Sequence, residues 1–337
     1  MILVFGVSAM RRREFITLIG GAAAAWSANA RAQQQAERMR RIGVLSAAAK
    51  DDQFLQQRLD AFRQGLEKLG WSEDHNIRID YRFATADGIR PLAKEVVRLE
   101  PDAILAHSTP VAAALQQETR AIPIVFLEVS DPIGSGFITS LARPGGNLTG
   151  LLLNEEGIPG KWLTMLKEFE PTLVRAALIG NPKTTPYDYF LRGAVAAARS
   201  LAIEVDPSRV ENSADVERVI ESLARLPNGG VITPPDSTIG RNRDLIISLV
   251  SKHRLPAVYS ERFAVLTGGL MSYSADRVEG FRQAASYVDR ILRGAKPVDL
   301  PAQTPIKYET VINLKTAKAL GIAFPPTLLA RADEVIE

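Results

Sequence analysis

The 337-residue sequence contains no cysteine. This absence excludes disulfide bonds, thiolate nucleophiles and zinc sites built on thiolates. Common catalytic signatures are also missing: there is no His-Glu-x-x-His, no Gly-x-Ser-x-Gly and no Gly-x-x-x-x-Gly-Lys. A dinucleotide fingerprint starts at Gly134-Ser135-Gly136, but Thr139 stands where its third glycine belongs. The sequence therefore gives an enzymatic function little support and predicts no catalytic residue, cofactor or metal site.

The excess of basic over acidic residues is confined to the N-terminus. The net charge is +3, but residues 1–32 carry four arginines and one glutamate, so the rest of the chain is formally neutral. A nucleic-acid-binding protein needs a basic surface, which this composition does not supply. With 46% apolar and 7% aromatic residues, the chain can bury an ordinary core, and its length predicts about two domains.

The first 32 residues have the pattern of an export signal. Arg11–Arg13 precede an apolar stretch that ends near Trp26, and alanines at 28, 30 and 32 suit cleavage. The run Arg12-Arg13-Glu14-Phe15-Ile16 matches the twin-arginine pattern, and a Sec signal with three arginines is the alternative. A transmembrane anchor is disfavoured because the apolar stretch is shorter than the roughly 20 residues that span a bilayer.

Beyond residue 40, short apolar strands alternate with helices. RIGVLS (41–46) predicts a strand, and Leu55, Leu59, Phe62, Leu66 and Leu69 recur at helical spacing until Gly70. The order strand, helix, strand predicts parallel pairing in a doubly wound α/β sheet. The arrangement then repeats: RAALIG (175–180) matches RIGVLS, and LPAVYSERF (255–263) matches IPIVFLEVS (122–130) at nearly the same offset. We therefore expect two similar lobes.

Polar residues follow the predicted strands at their carboxyl ends, where ligands bind in such sheets. We expect a cleft between the lobes for a small polar molecule. The candidate ligand contacts are Ser108, Thr109, Ser130, Asp131, Asn181, Asp236, Tyr259 and Tyr273. Each has a structural alternative, because serine, threonine, aspartate and asparagine commonly cap helices and the tyrosines could be half-buried core residues.

The candidates also suggest how a ligand is held. Ser108 and Thr109 precede a helix predicted to start at Pro110, where N–H groups favour a carboxylate. Asp131 or Asp236 would face an amino group, and Tyr259 and Tyr273 would flank an apolar side chain. These assignments predict that the ligand is an amino acid. If the ligand were a carboxylic acid without an amino group, both aspartates would only cap helices.

Three long segments carry a family resemblance. They are SDPIGSGFITSLARPGGNLTG, GGLMSYSADRVEGFRQAASYVDRILRGAKPVDLPAQTP and VINLKTAKALGIAFPPTLLARADEVIE. They resemble the ABC-transporter substrate-binding protein family that contains tryptophan- and tyrosine-binding lipoproteins, and the similarity extends over nearly the whole chain after residue 40. The resemblance implies a type I periplasmic binding fold, with two Rossmann-like lobes, a three-strand hinge and closure over one ligand. It places the family's cleft positions on the eight candidates above.

The same resemblance implies domain boundaries and partners. It gives an N-terminal lobe of residues 41–152 plus 267–297 and a C-terminal lobe of 153–266 plus 298–337, with crossings near 152, 266 and 298. The partners would be a small-molecule ligand and an ABC permease and ATPase complex. No cysteine follows the signal, so a lipid anchor is not expected. A ligand-sensing subunit for a membrane receptor uses the same fold and stays open as an alternative.

The mature protein is predicted to begin near Gln33 and to be soluble in the periplasm, because the apolar stretch ends in Ala-x-Ala and no lipidation cysteine follows. Amino-terminal sequencing of the exported protein checks this. Finding residues 1–32 still attached in a membrane fraction would contradict it.

Overall fold

The structure is a computed structural model that describes residues 39–73, 75–84 and 88–337. The predicted export signal lies outside these residues. The strands are β1 (Arg40–Ser46), β2 (Ile77–Phe83), β3 (Ala103–His107), β4 (Ile124–Val129), β5 (Leu148–Leu152), β6 (Arg175–Gly180), β7 (Glu204–Arg209), β8 (Gly229–Thr233), β9 (Ala257–Tyr259), β10 (Met271–Ala275), β11 (Tyr308–Asn313) and β12 (Glu334–Ile336).

Helices connect most of these strands. They are α1 (Gln53–Lys68), α2 (Ile89–Arg98), α3 (Thr109–Glu118), α4 (Ile158–Phe169), α5 (Tyr187–Ala198), α6 (Ser213–Ala224), α7 (Ser237–Arg241), α8 (Arg243–Lys252), α9 (Arg262–Leu266), α10 (Arg277–Leu292), α11 (Leu314–Leu320) and α12 (Pro326–Leu329). No helix in the described ranges has the length and apolar character needed to span a bilayer.

The strands form two sheets, one in each lobe. The N-terminal sheet has the order β2-β1-β3-β4-β5 and is parallel throughout. The C-terminal sheet has the order β12-β11-β10-β9-β8-β6-β7, in which β10 and β11 pair antiparallel. The prediction of two doubly wound α/β lobes is confirmed.

Local sequence explains why the first helix forms where it does. The Asp52 side chain accepts hydrogen bonds from the N–H groups of Phe54 and Leu55, which caps the start of α1. The predicted apolar face is buried, and Gly70 adopts a φ of 91° just beyond the helix. Apolar side chains of α1 and α10 share a core cluster on one face of the N-terminal sheet, while those of α2 and α3 share a cluster on the other face.

Two boundaries differ from the expected lobe limits. Strand β10 pairs with β9, so the second crossing between the lobes falls after Ala275 and not near residue 266. The third crossing falls after Gln303, because the Gln303 N–H donates to the Gly150 carbonyl and its own carbonyl accepts from the Leu152 N–H. The sequence placed that crossing near 298. Backbone pairing sets both limits.

Three connections therefore link the lobes, at residues 153–157, at Asp276 and at 304–307. They contact one another: the Asp276 N–H donates to the Lys307 carbonyl, and Lys307 Nζ lies 2.9 Å from Asp276 Oδ2. The Glu155 N–H also donates to the Tyr308 hydroxyl at 3.2 Å. These contacts hold the three connections side by side.

Replacement of Gly150 by alanine is predicted to lower the free energy of unfolding by about 3 kcal/mol or more. Gly150 in β5 has a φ of 149°, and a Cβ there would lie 1.9 Å from the Phe126 carbonyl oxygen. Urea denaturation of Gly150→Ala measures the loss. Gly146→Ala, where a Cβ meets open space, serves as the control and should change stability by less than about 0.5 kcal/mol. Equal stabilities of the two variants would contradict the prediction.

Candidate functional site

The loops at the carboxyl ends of the two sheets meet between the lobes. Arg277 at the start of α10 hydrogen-bonds Glu261, which follows β9 in the other lobe, at 2.9 Å. The rings of Phe54 and Phe263 lie 4.0 Å apart across the lobes. Arg192 Nη2 of α5 lies 3.8 Å from Asp131 Oδ2. The predicted cleft is thus the place where the lobes contact one another.

The loop after β3 carries an unsatisfied hydroxyl. Ser108, not Thr109, is the N-cap of α3, and its φ of 96° is unusual for a residue other than glycine. Its buried hydroxyl has no hydrogen-bond partner among the described residues. The Thr109 hydroxyl instead accepts from the Ser130 N–H at 3.1 Å, which ties the loops after β3 and β4 together. Three of the predicted residues are therefore neighbours, with a free donor at the start of a helix.

Asp131 is only partly engaged. Its Oδ1 accepts from the Gly134 N–H at 2.9 Å, and its Oδ2 faces Arg192 beyond hydrogen-bonding distance. Its φ is 47°, so the backbone adopts a left-handed conformation at this position. Its Oδ2 therefore makes no hydrogen bond among the described residues and has only the longer ion pair with Arg192.

Asp236 and Asn181 serve the structure of the C-terminal lobe. Asp236 caps α7 by accepting from the N–H groups of Thr238 and Ile239, and it also accepts from the Asn181 N–H and the Thr184 hydroxyl. The Asn181 amide donates to the Thr238 hydroxyl at 3.0 Å. Burial raises the pKa of Asp236 even though these donors act in the opposite direction. Among the described residues, the hydrogen bonds of both side chains are those of residues that cap and connect helices and loops.

The two predicted tyrosines lie in different core clusters. Tyr259 packs among buried residues of α6 and α8, and burial raises its pKa. Tyr273 stacks on Tyr308 at 5.3 Å beside the hinge. A third tyrosine, Tyr189, lies one turn before Arg192 on α5, and its pKa is raised by burial and by the carboxylates of Glu156 and Asp131. Tyr259 is thus enclosed in the core, with a hydroxyl that has no hydrogen-bond partner among the described residues, and Tyr273 is half-buried.

A buried charge cluster at the same place was missed from the sequence. The Glu128 carboxylate accepts from Arg277 Nη1 at 2.5 Å and from His107 Nε2 at 3.2 Å, and the other His107 nitrogen bonds the Ser46 hydroxyl at 2.7 Å. Arg58 Nη1 lies 3.7 Å from Glu128 Oε1. The available signal was a glutamate inside an otherwise apolar strand, IVFLEV, because a buried charge requires a partner.

The cluster fixes the charge states of its members. Burial alone would raise the pKa of Glu128, but the guanidinium groups of Arg277 and Arg58 and the His107 hydrogen bond hold it well below its usual range. Burial lowers the pKa of Arg277, and the carboxylates of Glu128 and Glu261 more than offset this effect. The chemistry available is charge pairing and hydrogen bonding. Among the described residues, no three His, Cys, Asp or Glu side chains are grouped so as to hold a metal ion.

Comparison with known proteins identifies similar chains. The family model described as "ABC transporter substrate binding protein" matches residues 42–336. A tyrosine-binding protein of Clostridioides difficile (strain R20291) is 27% identical over 263 residues, which are 77% of this chain and 75% of that protein.

Solved structures share the architecture. A conserved domain protein from Vibrio cholerae O1 biovar El Tor is 27% identical, with a TM-score of 0.80 over 88% of this chain and 100% of that one. An ABC domain in complex with L-Trp from Streptococcus pneumonia is 23% identical, with a TM-score of 0.81 over 88% of this chain and 100% of that one. The two-lobed fold is that of type I periplasmic binding proteins.

Proposed function

The chain belongs to the ABC transporter substrate-binding protein family, and from this we propose that it captures an aromatic amino acid between its lobes and delivers it to an ABC importer. The family consists of substrate-binding proteins and not of enzymes, and the family resemblance read from the sequence is confirmed. Proteins of this family work outside the cytoplasm. For this chain the proposed location is the periplasm, reached by the export signal predicted in residues 1–32.

The observation that carries the proposal is the meeting of the strand-end loops around polar groups with few or no hydrogen-bond partners. The buried Ser108 hydroxyl and the Asp131 carboxylate come from neighbouring loops of one lobe, and Arg192, with Tyr189 one turn before it on α5, faces Asp131 from the other. A ligand that touches both lobes stabilises the arrangement in which they contact each other. This geometry suits a small zwitterion.

We assign the ends of the ligand by charge. The carboxylate would lie at the start of α3, where Ser108 and Thr109 offer hydroxyls and the helix offers N–H groups. The amino group would face Asp131, since the oxygens of Asp236 already accept four hydrogen bonds. Similarity to a protein named for tyrosine and to one solved with L-Trp supports an aromatic side chain. Tyr189, rather than Tyr259 or Tyr273, is the aromatic residue expected beside it.

L-Tyrosine or L-tryptophan is predicted to stabilise the protein and to close it. At a hundredfold excess over the Kd, binding to the folded state alone adds about 2.7 kcal/mol. Thermal shift measures the stabilisation, and small-angle scattering should show a smaller radius of gyration with the same ligand. A neutral sugar is the control and should change neither quantity. Stabilisation without compaction would contradict closure, and the absence of any response to amino acids would contradict the proposed ligand class.

Asp131→Asn is predicted to weaken L-tryptophan binding about tenfold or more, because it removes the charge opposite the amino group. It should leave the affinity for indole-3-propionate, which has no amine, unchanged. Asp236→Asn is the matched control: it should lower the free energy of unfolding by about 1–3 kcal/mol through its lost acceptors and spare ligand selectivity. Calorimetric titration and urea denaturation separate the two effects. If Asp131→Asn weakened both ligands equally, the amine assignment would be wrong.

A further inference from the structure

Arg58 on α1 is a buried arginine that is left almost unpaired. Within the described ranges its guanidinium makes no hydrogen bond, and its one ion pair joins Nη1 to Glu128 Oε1 at 3.7 Å, beyond hydrogen-bonding distance. Only 16% of the side chain is exposed. A guanidinium carries five N–H donors, and burying them without acceptors is costly.

Two neighbouring carboxylates each pair one oxygen with another arginine, and the Glu128 oxygen nearest Arg58, Oε1, makes no hydrogen bond among the described residues. Glu128 Oε2 lies 2.5 Å from Arg277 Nη1, and Glu261 Oε1 lies 2.9 Å from Arg277 Nη2. Burial lowers the pKa of Arg58 and the positive charge of Arg277 adds to the lowering, while the carboxylates of Glu128, Glu261 and Asp52 offset these effects only in part. At Arg58 burial therefore outweighs the attraction of the nearby carboxylates, whereas at Arg277 the carboxylates outweigh burial.

The position of Arg58 on its helix directs it between the lobes. Phe54 lies one turn earlier on the same face of α1 and contacts Phe263 of the other lobe. Arg58 also approaches the carboxylate that accepts the His107 hydrogen bond, and His107 immediately precedes Ser108. The guanidinium is thus linked through a single carboxylate to the loop that holds the free Ser108 hydroxyl.

We propose that Arg58 is the positive counter-group for the ligand's carboxylate and acts together with the Ser108 hydroxyl. This assignment rests on the proposed function and adds the residue that makes the site selective for acids. A planar guanidinium can donate two parallel hydrogen bonds to a carboxylate, and such bonds are stronger than those between neutral groups. The helix start contributes neutral donors, and Arg58 contributes the charge.

The test compares L-tryptophan with tryptamine, which lacks the carboxylate, and L-tyrosine with tyramine. The wild-type protein should prefer each amino acid over its amine. Arg58→Gln should weaken binding of the amino acid about ten- to hundredfold and leave binding of the amine unchanged, so that the preference disappears. Arg58→Lys keeps the positive charge but cannot donate two parallel hydrogen bonds, so its affinity for the amino acid should lie between those of the wild type and Arg58→Gln. Calorimetric titration gives the affinities, and circular dichroism checks the fold.

Arg63→Gln is the matched control, because it removes one positive charge from the same helix at a residue that pairs with Asp60 outside the cleft. It should leave the preference unchanged. If Arg58→Gln weakened acid and amine equally, or neither, Arg58 would be a structural partner of Glu128 and the assignment would be overturned.

If Arg58→Gln does not fold, the wild-type protein still tests the assignment through its affinities for tryptophan and for tryptophan amide, which has no carboxylate. Equal affinities for the two would also overturn the assignment. Wild-type protein that binds no amino acid would overturn the proposed function itself and this assignment with it.

Discussion

The buried carboxylate of Glu128 is the constraint around which the two lobes are arranged. It lies at the end of a strand that is otherwise apolar, where an ionised group is stable only beside positive charge. Arg277 supplies that charge immediately after the chain crosses back into the N-terminal lobe, and its other nitrogen reaches Glu261 of the C-terminal lobe. Removing one partner of such a buried pair typically costs about 3–5 kcal/mol. One arginine therefore stabilises the core of one lobe and a contact with the other.

The geometry around Glu128 also concentrates unusual backbone conformations at the cleft. Glu128, Ser108 and Asp131 all have positive φ values, and all three lie at strand ends of the N-terminal lobe. Residues other than glycine adopt such conformations at an energetic cost, which the surrounding structure has to offset. Here the offset comes from the ion pairs of Glu128 and from the bond between Thr109 and Ser130. Among the described residues the Ser108 hydroxyl has no hydrogen-bond partner, and Asp131 Oδ2 has only its ion pair with Arg192.

Residues of one chemical type have different roles in the two lobes. Asp131 and Asp236 both follow strands and both begin turns or helices, yet Asp236 accepts four hydrogen bonds and Asp131 accepts one. The difference arises because Thr184 and Asn181 surround Asp236 from a neighbouring loop, whereas Asp131 faces the other lobe. A cap and a ligand contact look alike in a sequence, since both need a short polar side chain at a helix start.

Local sequence patterns are enough to predict the two lobes and their sheets. Periodic apolar residues such as Leu55, Leu59 and Phe62 set α1, and the repeated strands set two α/β units, because these patterns depend on neighbours within one turn or one strand. Which polar side chains lack hydrogen-bond partners depends instead on long-range packing. Strand pairing kept β10 in the C-terminal lobe, and core packing enclosed Tyr259 while Tyr273 stacked on Tyr308. Glu128 and Arg277, 149 positions apart, met as an ion pair. Contacts at such separations depend on how whole elements pack together, and no local pattern in one sequence records them.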